Sequence, residues 1–202
     1  MITIRSKQDL KDRRNCGDLM GADLCEANLE GVNLEGVNLA VAHLAKANLK
    51  NAHLEYANFD GADLNGANLS GAFLEGAHFE VTNLEGVDFT GAHLKIANFE
   101  NACLAGANLE NADLERAVLA GADLERANLN NAHLEMANFN GANLEGASFK
   151  RAHLEGANLN KAYLYEANLE DANLNRASLN DANLIKTKLE GAKLEGISWS
   201  AS

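Results

Sequence analysis

The sequence contains a histidine–glutamate pair that recurs and whose side chains could bind a metal ion or transfer a proton. The residues Ala-His-Leu-Glu occur at 52–55, 132–135 and 152–155. Imidazole nitrogen and carboxylate oxygen are both zinc ligands, and either group can act as a general acid or base. Whether the pairs form a site depends on the elements that position them.

The pairs belong to a five-residue repeat that runs from residue 17 to residue 196 as 36 units without an insertion. We number the positions of each unit as slots 1 to 5. Slot 1 is Ala in 30 units, and slot 3 is Leu in 30 and Phe in six. Slot 2 is Asn or Asp in 22 units, slot 4 is Glu in 16, and slot 5 holds 16 of the 17 glycines. The repeated histidines therefore occupy slot 2, and their glutamates occupy slot 4.

A period of five residues fits neither an α-helix nor a plain strand. In a helix, a Leu at every fifth residue would step by about 140° and leave no apolar stripe. In a plain strand, successive leucines would point to opposite faces, and the polar slots could not all be buried. The pattern therefore predicts that slots 1 and 3 point inward, slot 2 points outward, and slots 4 and 5 turn a corner. Glycine favours such corners, and the absence of Pro preserves backbone donors for bonds between coils.

Residues 61–79, GADLNGANLSGAFLEGAHF, resemble the A(D/N)LXX repeat of the pentapeptide-repeat family. The resemblance implies an all-β fold, a right-handed quadrilateral β-helix in which four units form each square coil. It also implies about nine coils, and a coil spacing of about 4.8 Å gives a rod about 43 Å long. Phe59, Phe79, Phe99 and Phe139 are separated by whole multiples of four units, which supports this coil length.

The repeat also predicts the domain boundaries. Residues 1–16 are charged and break the repeat, so we expect an N-terminal cap with a short strand and a short helix that has Ser6 as its N-cap. Residues 17–199 form the β-helix, and residues 200–202 form a C-terminal tail.

The C-terminal end of the β-helix is the predicted self-association surface. Ile197 and Trp199 continue slots 1 and 3 beyond the last complete unit. A β-helix exposes unpaired backbone and apolar core at an end that is not capped. Two interpretations follow: Trp199 covers the final coil, or Ile197 and Trp199 form the end-to-end contact of a homodimer.

A coil of four units places four histidines and seven glutamates on one side, which we call the His/Glu face. Its residues are His53, His93, His133 and His153 in slot 2, and Glu35, Glu55, Glu75, Glu115, Glu135, Glu155 and Glu195 in slot 4. Only His133 and His153 lie on adjacent coils, about 4.8 Å apart, where they could share zinc with a glutamate. The competing interpretation, that His replaces Asn at an exposed slot, is favoured because a regular rod offers no concavity that excludes water. We therefore expect no metal, no cofactor and no catalytic residue.

Charge and cysteine content narrow the partners and the compartment. The net charge of −12 disfavours direct nucleic-acid binding and favours a protein partner with a basic surface. Cys16, Cys25 and Cys103 form no metal-binding pair and leave an odd thiol, which is typical of a reducing compartment. No apolar run approaches the ~20 residues of a membrane span. These features predict a cytoplasmic protein without membrane contact.

Two functions follow from the fold and the charge. The first is a non-enzymatic protein-interaction module, a rigid acidic rod whose exposed slots contact a protein partner. The alternative rests on the family resemblance, because some pentapeptide-repeat proteins mimic DNA and bind type II topoisomerases such as gyrase. The uninterrupted repeat of this chain, which has no inserted loop, favours the first function.

Overall fold

The computed structural model describes residues 3–11 and 18–200. Cys16 and the rest of residues 12–17 lie outside the described residues, as do residues 201–202 of the predicted tail. Each slot 2 residue forms a parallel β-bridge with the slot 2 residue four units later in the chain. These bridges run from the pair Asp18–Asn38 to the pair Ser178–Ser198. The coil of four units is therefore confirmed, and the fold is the predicted right-handed quadrilateral β-helix.

Backbone hydrogen bonds join the coils at three of the five slots. The slot 2 N–H donates to the preceding coil, and the slot 3 and slot 5 N–H groups donate to the following coil. For example, the Leu114 N–H donates to the His133 carbonyl at 2.7 Å, and the Arg116 N–H donates to the Glu135 carbonyl at 2.9 Å. The pairing reaches the Ser200 carbonyl, one residue beyond the predicted end of the β-helix.

Slots 1 and 3 line the interior, as predicted. The slot 3 side chains from Leu19 to Leu179 are at most 4% exposed. Phe59, Phe79 and Phe99 stack along one wall, with ring centroids 4.8 to 4.9 Å apart. Phe89 comes from the opposite wall and meets two of these rings edge to face at 5.9 and 6.0 Å. Side chains from opposite walls therefore fill the centre of the rod.

Slot 5 turns each corner with a left-handed backbone conformation. Its φ lies between 51° and 72° in all 36 units, although 20 of these positions are not glycine. The slot 1 N–H of the next unit donates to the slot 3 carbonyl, which closes a four-residue turn. A positive φ at only the third residue of that turn defines type II geometry. Glycine is frequent at slot 5 because it adopts this φ without steric cost.

The slot 2 asparagines accept a hydrogen bond from a backbone N–H at the corner that follows them. The Asn38 side-chain oxygen accepts the Ala40 N–H at 3.1 Å. The Asn38 amide also donates to Asp18 on the preceding coil at 3.2 Å. The slot 4 N–H has no backbone carbonyl as its acceptor among the described residues. A side-chain oxygen of Asn or Asp at slot 2 therefore completes the hydrogen bonding of the unit.

The described N-terminal residues lie against the first coil. Thr3 and Ser6 form parallel bridges with that coil, and Ile4 between them is fully buried. The helix α1 (Lys7–Lys11) follows and buries Leu10. Apolar side chains from this segment therefore cover the core at the N-terminal end.

Polar contacts fix the N-terminal segment in place. The Asp9 carboxylate accepts the N–H groups of Arg5 and Ser6 at 2.8 Å each, and Ser6 directly precedes α1. The Arg5 guanidinium donates to Asp23 in the first coil at 2.7 Å and lowers the pKa of that carboxyl group to about 2. Asp23 therefore keeps its charge in this ion pair well below neutral pH.

Candidate functional site: the His/Glu face and the C-terminal coil end

The predicted histidines lie in one column of β-bridges and form two ring stacks. His53 and His93 stack on either side of Phe73, with centroid distances of 4.7 and 4.9 Å. His133 and His153 stack directly on each other, with centroids 4.9 Å apart. Phe73 was not among the residues predicted for this face, although its place at slot 2, one coil from each histidine, identifies it from the sequence. The face therefore combines aromatic and charged groups.

Three of the four histidines lie beside a glutamate of the same unit. The distances from Nδ1 to the glutamate Oε1 are 3.4 Å for His53–Glu55, 3.5 Å for His133–Glu135 and 3.7 Å for His153–Glu155. The imidazoles are about half exposed, at 46% to 53% of the side chain. These pairs are local contacts within a unit, and the coil spacing brings neighbouring pairs together.

Lys95 divides the glutamates of the His/Glu face into two groups. It occupies slot 4 between Glu75 and Glu115, and its ammonium group lies 2.7 Å from Glu115 and 3.5 Å from Asp113. The hydrogen bond from Lys95 lowers the pKa of Glu115, and the same bond raises the pKa of Lys95. The face therefore has one acidic stretch before Lys95, formed by Glu35, Glu55 and Glu75, and further glutamates after it.

Negative charge is not confined to the His/Glu face. The opposite face consists of residues 22–26 and the equivalent unit of each later coil, and we call it the Cys103 face. It carries eight acidic and three basic residues, whereas the His/Glu face carries eight acidic and four basic residues. Charge alone therefore does not single out the His/Glu face, and its distinguishing feature is the stacking of rings from successive coils.

Glu135, His153 and Glu155 form a group with the geometry of potential metal ligands. One ligand atom from each side chain lies within 4.8 Å of the others. Glu155 Oε1 accepts a hydrogen bond from Asn173, whereas Oε2 is shielded from solvent and has no hydrogen-bond partner among the described residues. From the sequence, His133 and His153 could share a zinc ion with a glutamate, but the favoured interpretation was that each histidine replaces Asn at an exposed slot.

Two of the described nucleophilic side chains, Cys25 and Ser148, are not activated. Burial raises the pKa of the Cys25 thiol, which disfavours the reactive thiolate. The Ser148 hydroxyl donates to Asn130 at 2.7 Å, and an amide oxygen is too weak a base to activate it. Neither residue has the neighbours that nucleophilic catalysis needs.

The C-terminal coil end exposes apolar side chains. Trp199 is 61% exposed and Leu194 is 39% exposed, while Ile197 is partly buried against the core. These three residues line an apolar hollow together with Leu184 and Leu189. The two residues predicted to form a contact between subunits therefore lie together at this end.

The family of pentapeptide repeats matches the chain in eight overlapping copies that span residues 17–198. The chain is 33% identical to HetL, a pentapeptide repeat protein involved in heterocyst differentiation regulation in the cyanobacterium Nostoc. The match covers 87% of this chain and 84% of HetL, with a TM-score of 0.44. The chain therefore belongs to the pentapeptide repeat family.

A trypsin-treated form of QnrB1, a plasmid-mediated fluoroquinolone resistance protein, matches with a TM-score of 0.59. The identity is 17%, and the match covers 98% of this chain and 91% of the QnrB1 chain. At this identity the likeness shows the fold alone. The search of curated proteins found no match. Within residues 3–11 and 18–200, no helix is long and apolar enough to cross a membrane.

Proposed function

We propose that the chain is a non-enzymatic protein-interaction module whose His/Glu face binds a protein with a basic surface. The observation that carries this proposal is the stack of His53, Phe73 and His93 beside the acidic stretch of Glu35, Glu55 and Glu75. Aromatic groups supply apolar contact area at the centre of interfaces, and surrounding charges direct a partner of opposite sign.

The fold supports this function because it fixes the spacing of the exposed groups. Backbone hydrogen bonds of 2.6 to 3.1 Å join each described coil to the next, and the face contains no inserted loop. A surface that is already ordered loses little conformational entropy when it binds. The module therefore presents aromatic rings and carboxylates to its partner at the coil spacing of about 4.8 Å.

Neutralising the acidic stretch should weaken partner binding at least tenfold. The test variant replaces Glu35, Glu55 and Glu75 with Gln, which preserves side-chain shape and removes three charges. The partner is first captured from the native host by the wild-type protein and purified, and its dissociation constant is then measured by calorimetry with both proteins.

The matched control replaces three glutamates of the Cys103 face with Gln, namely Glu85, Glu125 and Glu145. Because both variants change the net charge equally, a difference between them reports the location of the binding face. If the two variants bind the partner equally well, the proposal that the partner binds at the His/Glu face is wrong.

The second candidate is a DNA mimic that binds a type II topoisomerase, and the density of negative charge favours it. Residues 17–202 carry 27 acidic and 12 basic side chains. Over a rod of about 43 Å this is one net negative charge per about 2.9 Å, compared with about 1.7 Å for duplex DNA. The rod therefore has more than half of the linear charge density of DNA.

A gyrase supercoiling assay distinguishes the two candidates. A DNA mimic at micromolar concentration should inhibit gyrase or protect it from an inhibitor. A module that binds an unrelated protein should leave supercoiling unchanged, and in that case the mimic function is excluded.

We also propose a homodimer formed through the C-terminal coil end, in which Ile197 and Trp199 meet their counterparts. The backbone N–H groups of Leu184, Leu189 and Leu194 have no acceptor among the described residues, although equivalent groups in earlier coils bond to the next coil. Residues 182–200 carry three lysines and two glutamates. This end therefore lacks the negative charge that would keep two rods apart.

Replacing Trp199 with Glu should convert the dimer to a monomer, because a charge would be buried in the apolar contact. Light scattering should show the mass of the wild-type protein halved in the variant. The control, Tyr56→Glu, introduces the same charge at an aromatic residue that is 57% exposed and far from the coil end. A wild-type protein with monomer mass would overturn the proposal.

The proposed compartment is the cytoplasm. Cys25 and Cys103 are free thiols, and they lie on one face almost four coils apart, too far for a disulfide. Free thiols persist in reducing compartments. Fractionation of the native host is the direct test.

A further inference from the structure

We propose that Glu135, His153 and Glu155, together with His133, bind one divalent transition-metal ion on the His/Glu face. These residues form a two-by-two array in which each coil contributes one imidazole and one carboxylate. The bridge between His133 and His153 fixes the two coils in register. The proposal differs from the partner-binding function and does not depend on it.

The distances within the array are close to those of a metal site. The His133 Nδ1–Glu135 Oε1 and His153 Nδ1–Glu155 Oε1 distances are 3.5 and 3.7 Å, and the two rings are 4.9 Å apart. Bonds of about 2.0 to 2.2 Å place tetrahedral zinc ligands about 3.3 Å from one another. Because the ligand atoms of Glu135, His153 and Glu155 lie within 4.8 Å of one another, the widest-spaced ligands need to close by up to about 1.5 Å. Their side chains are 33% to 53% exposed, which leaves them room to rotate.

The array brings two carboxylates together without a compensating lysine or arginine. Among the described residues, the ion pairs of Glu135 and Glu155 are formed only with histidine. By contrast, Lys95 lies within 4 Å of both Asp113 and Glu115 on the same face. A bound cation would neutralise the pair of glutamates as Lys95 neutralises its two neighbours.

One carboxylate oxygen of the array lacks any donor. Glu155 Oε2 is shielded from solvent and has no hydrogen-bond partner among the described residues. A shielded carboxylate oxygen without a donor is costly, and coordination to a cation removes that cost. Glu55 Oε2 is in the same state, but Phe73 replaces the second imidazole there. Only the array around Glu155 therefore combines an oxygen of this kind with two imidazoles in the part of the chain that the structure describes.

The ligand types select the class of metal. Two imidazole nitrogens with two carboxylate oxygens suit zinc, copper or nickel, whereas magnesium and calcium prefer oxygen alone. The array lies on a flat β-face, so the ion keeps at least one side open to water. Zn²⁺ is the probe for the test, and Mg²⁺ is the control for nonspecific attraction to an acidic surface.

Isothermal titration of the full chain without a histidine tag tests the site. We expect one Zn²⁺ per chain at micromolar affinity, and no saturable binding of Mg²⁺. His153→Asn should weaken Zn²⁺ binding at least tenfold while preserving the fold, because Asn is the commonest residue at slot 2. His133→Asn should have a similar effect.

The matched control is His53→Asn, which removes an imidazole from a His–Glu pair next to Phe73. This variant should bind Zn²⁺ as the wild type does. The proposal is overturned if the wild type binds no Zn²⁺, or if His53→Asn and His153→Asn weaken binding equally. Because the titration uses the free protein, its result is independent of whether the His/Glu face binds a protein partner.

Discussion

Replacing Phe79 with alanine is expected to lower the free energy of unfolding by about 3 to 5 kcal/mol. Phe79 is fully buried and stacks between Phe59 and Phe99. It also meets the edge of Phe89, which comes from the opposite wall. Alanine would leave a cavity between these rings, and the backbone bonds between coils would limit its collapse. Denaturant unfolding followed by circular dichroism measures the change.

Two further variants separate the cavity from other effects at this position. His78→Asn changes the adjacent outward residue to the type that is commonest at slot 2, and its cost should be below about 0.5 kcal/mol. Phe79→Leu introduces the type that is commonest at slot 3, and its cost should lie between those of the other two variants. If Phe79→Ala costs less than about 1 kcal/mol, well below the usual range for this substitution, the aromatic stack does not stabilise the coil as we infer.

The stack of Phe59, Phe79 and Phe99 also shows why the sequence predicts the interior of this fold so well. Each slot repeats one type of residue through most of the 36 units, so an inward position is recognised from many residues at once. The coil length depends on less evidence, because the period of five residues does not fix the number of units in a coil. The family resemblance supplied that number, and the bridges between equivalent positions four units apart confirm it.

The candidate site was harder to predict because its contacts join residues on different coils. The repeat pattern placed the four histidines on one face, but Phe73, which joins His53 and His93 into one stack, was not among the predicted residues. Lys95, which pairs with Glu115 on the same face, was not among them either. The commonest residue at each slot describes the average unit, so it does not reveal single units that carry a different residue. The orientation of the Glu155 carboxylate depends on side-chain torsions, which the repeat pattern does not specify.

Corner geometry gives a physical account of the missing prolines. The N–H groups of slots 1, 2, 3 and 5 donate to backbone carbonyls, and the positive φ of slot 5 excludes proline independently. Slot 4 is different, because it is the second residue of a type II turn, where proline is favoured. Its N–H donates to a side chain where one is in reach, either at slot 2 of the same unit, as in the Asn38–Ala40 pair, or at slot 4 of the preceding coil, as in the Asp60–Glu80 pair.

Proline should therefore have opposite effects at two adjacent residues. Ala120 follows Val118, whose side chain cannot accept its N–H, and no described residue accepts that N–H from another direction. Ala120→Pro should raise the free energy of unfolding by about 0.4 to 1 kcal/mol, because it restricts the unfolded chain. Gly121 has a φ of 65°, and its N–H donates to the Asn140 carbonyl at 3.0 Å. Gly121→Pro should cost about 3 kcal/mol or more.

A third proline variant tests the reason for this difference. Ala40 occupies the same slot as Ala120, but its N–H donates to the Asn38 side chain at 3.1 Å. Ala40→Pro removes that bond, so it should be less stable than Ala120→Pro by about 1 kcal/mol. Denaturant unfolding of the three variants measures the order directly. Equal stability of Ala40→Pro and Ala120→Pro would mean that the slot 2 side chain does not explain the absence of proline at slot 4. The type II geometry would be wrong if Ala120→Pro were as destabilising as Gly121→Pro.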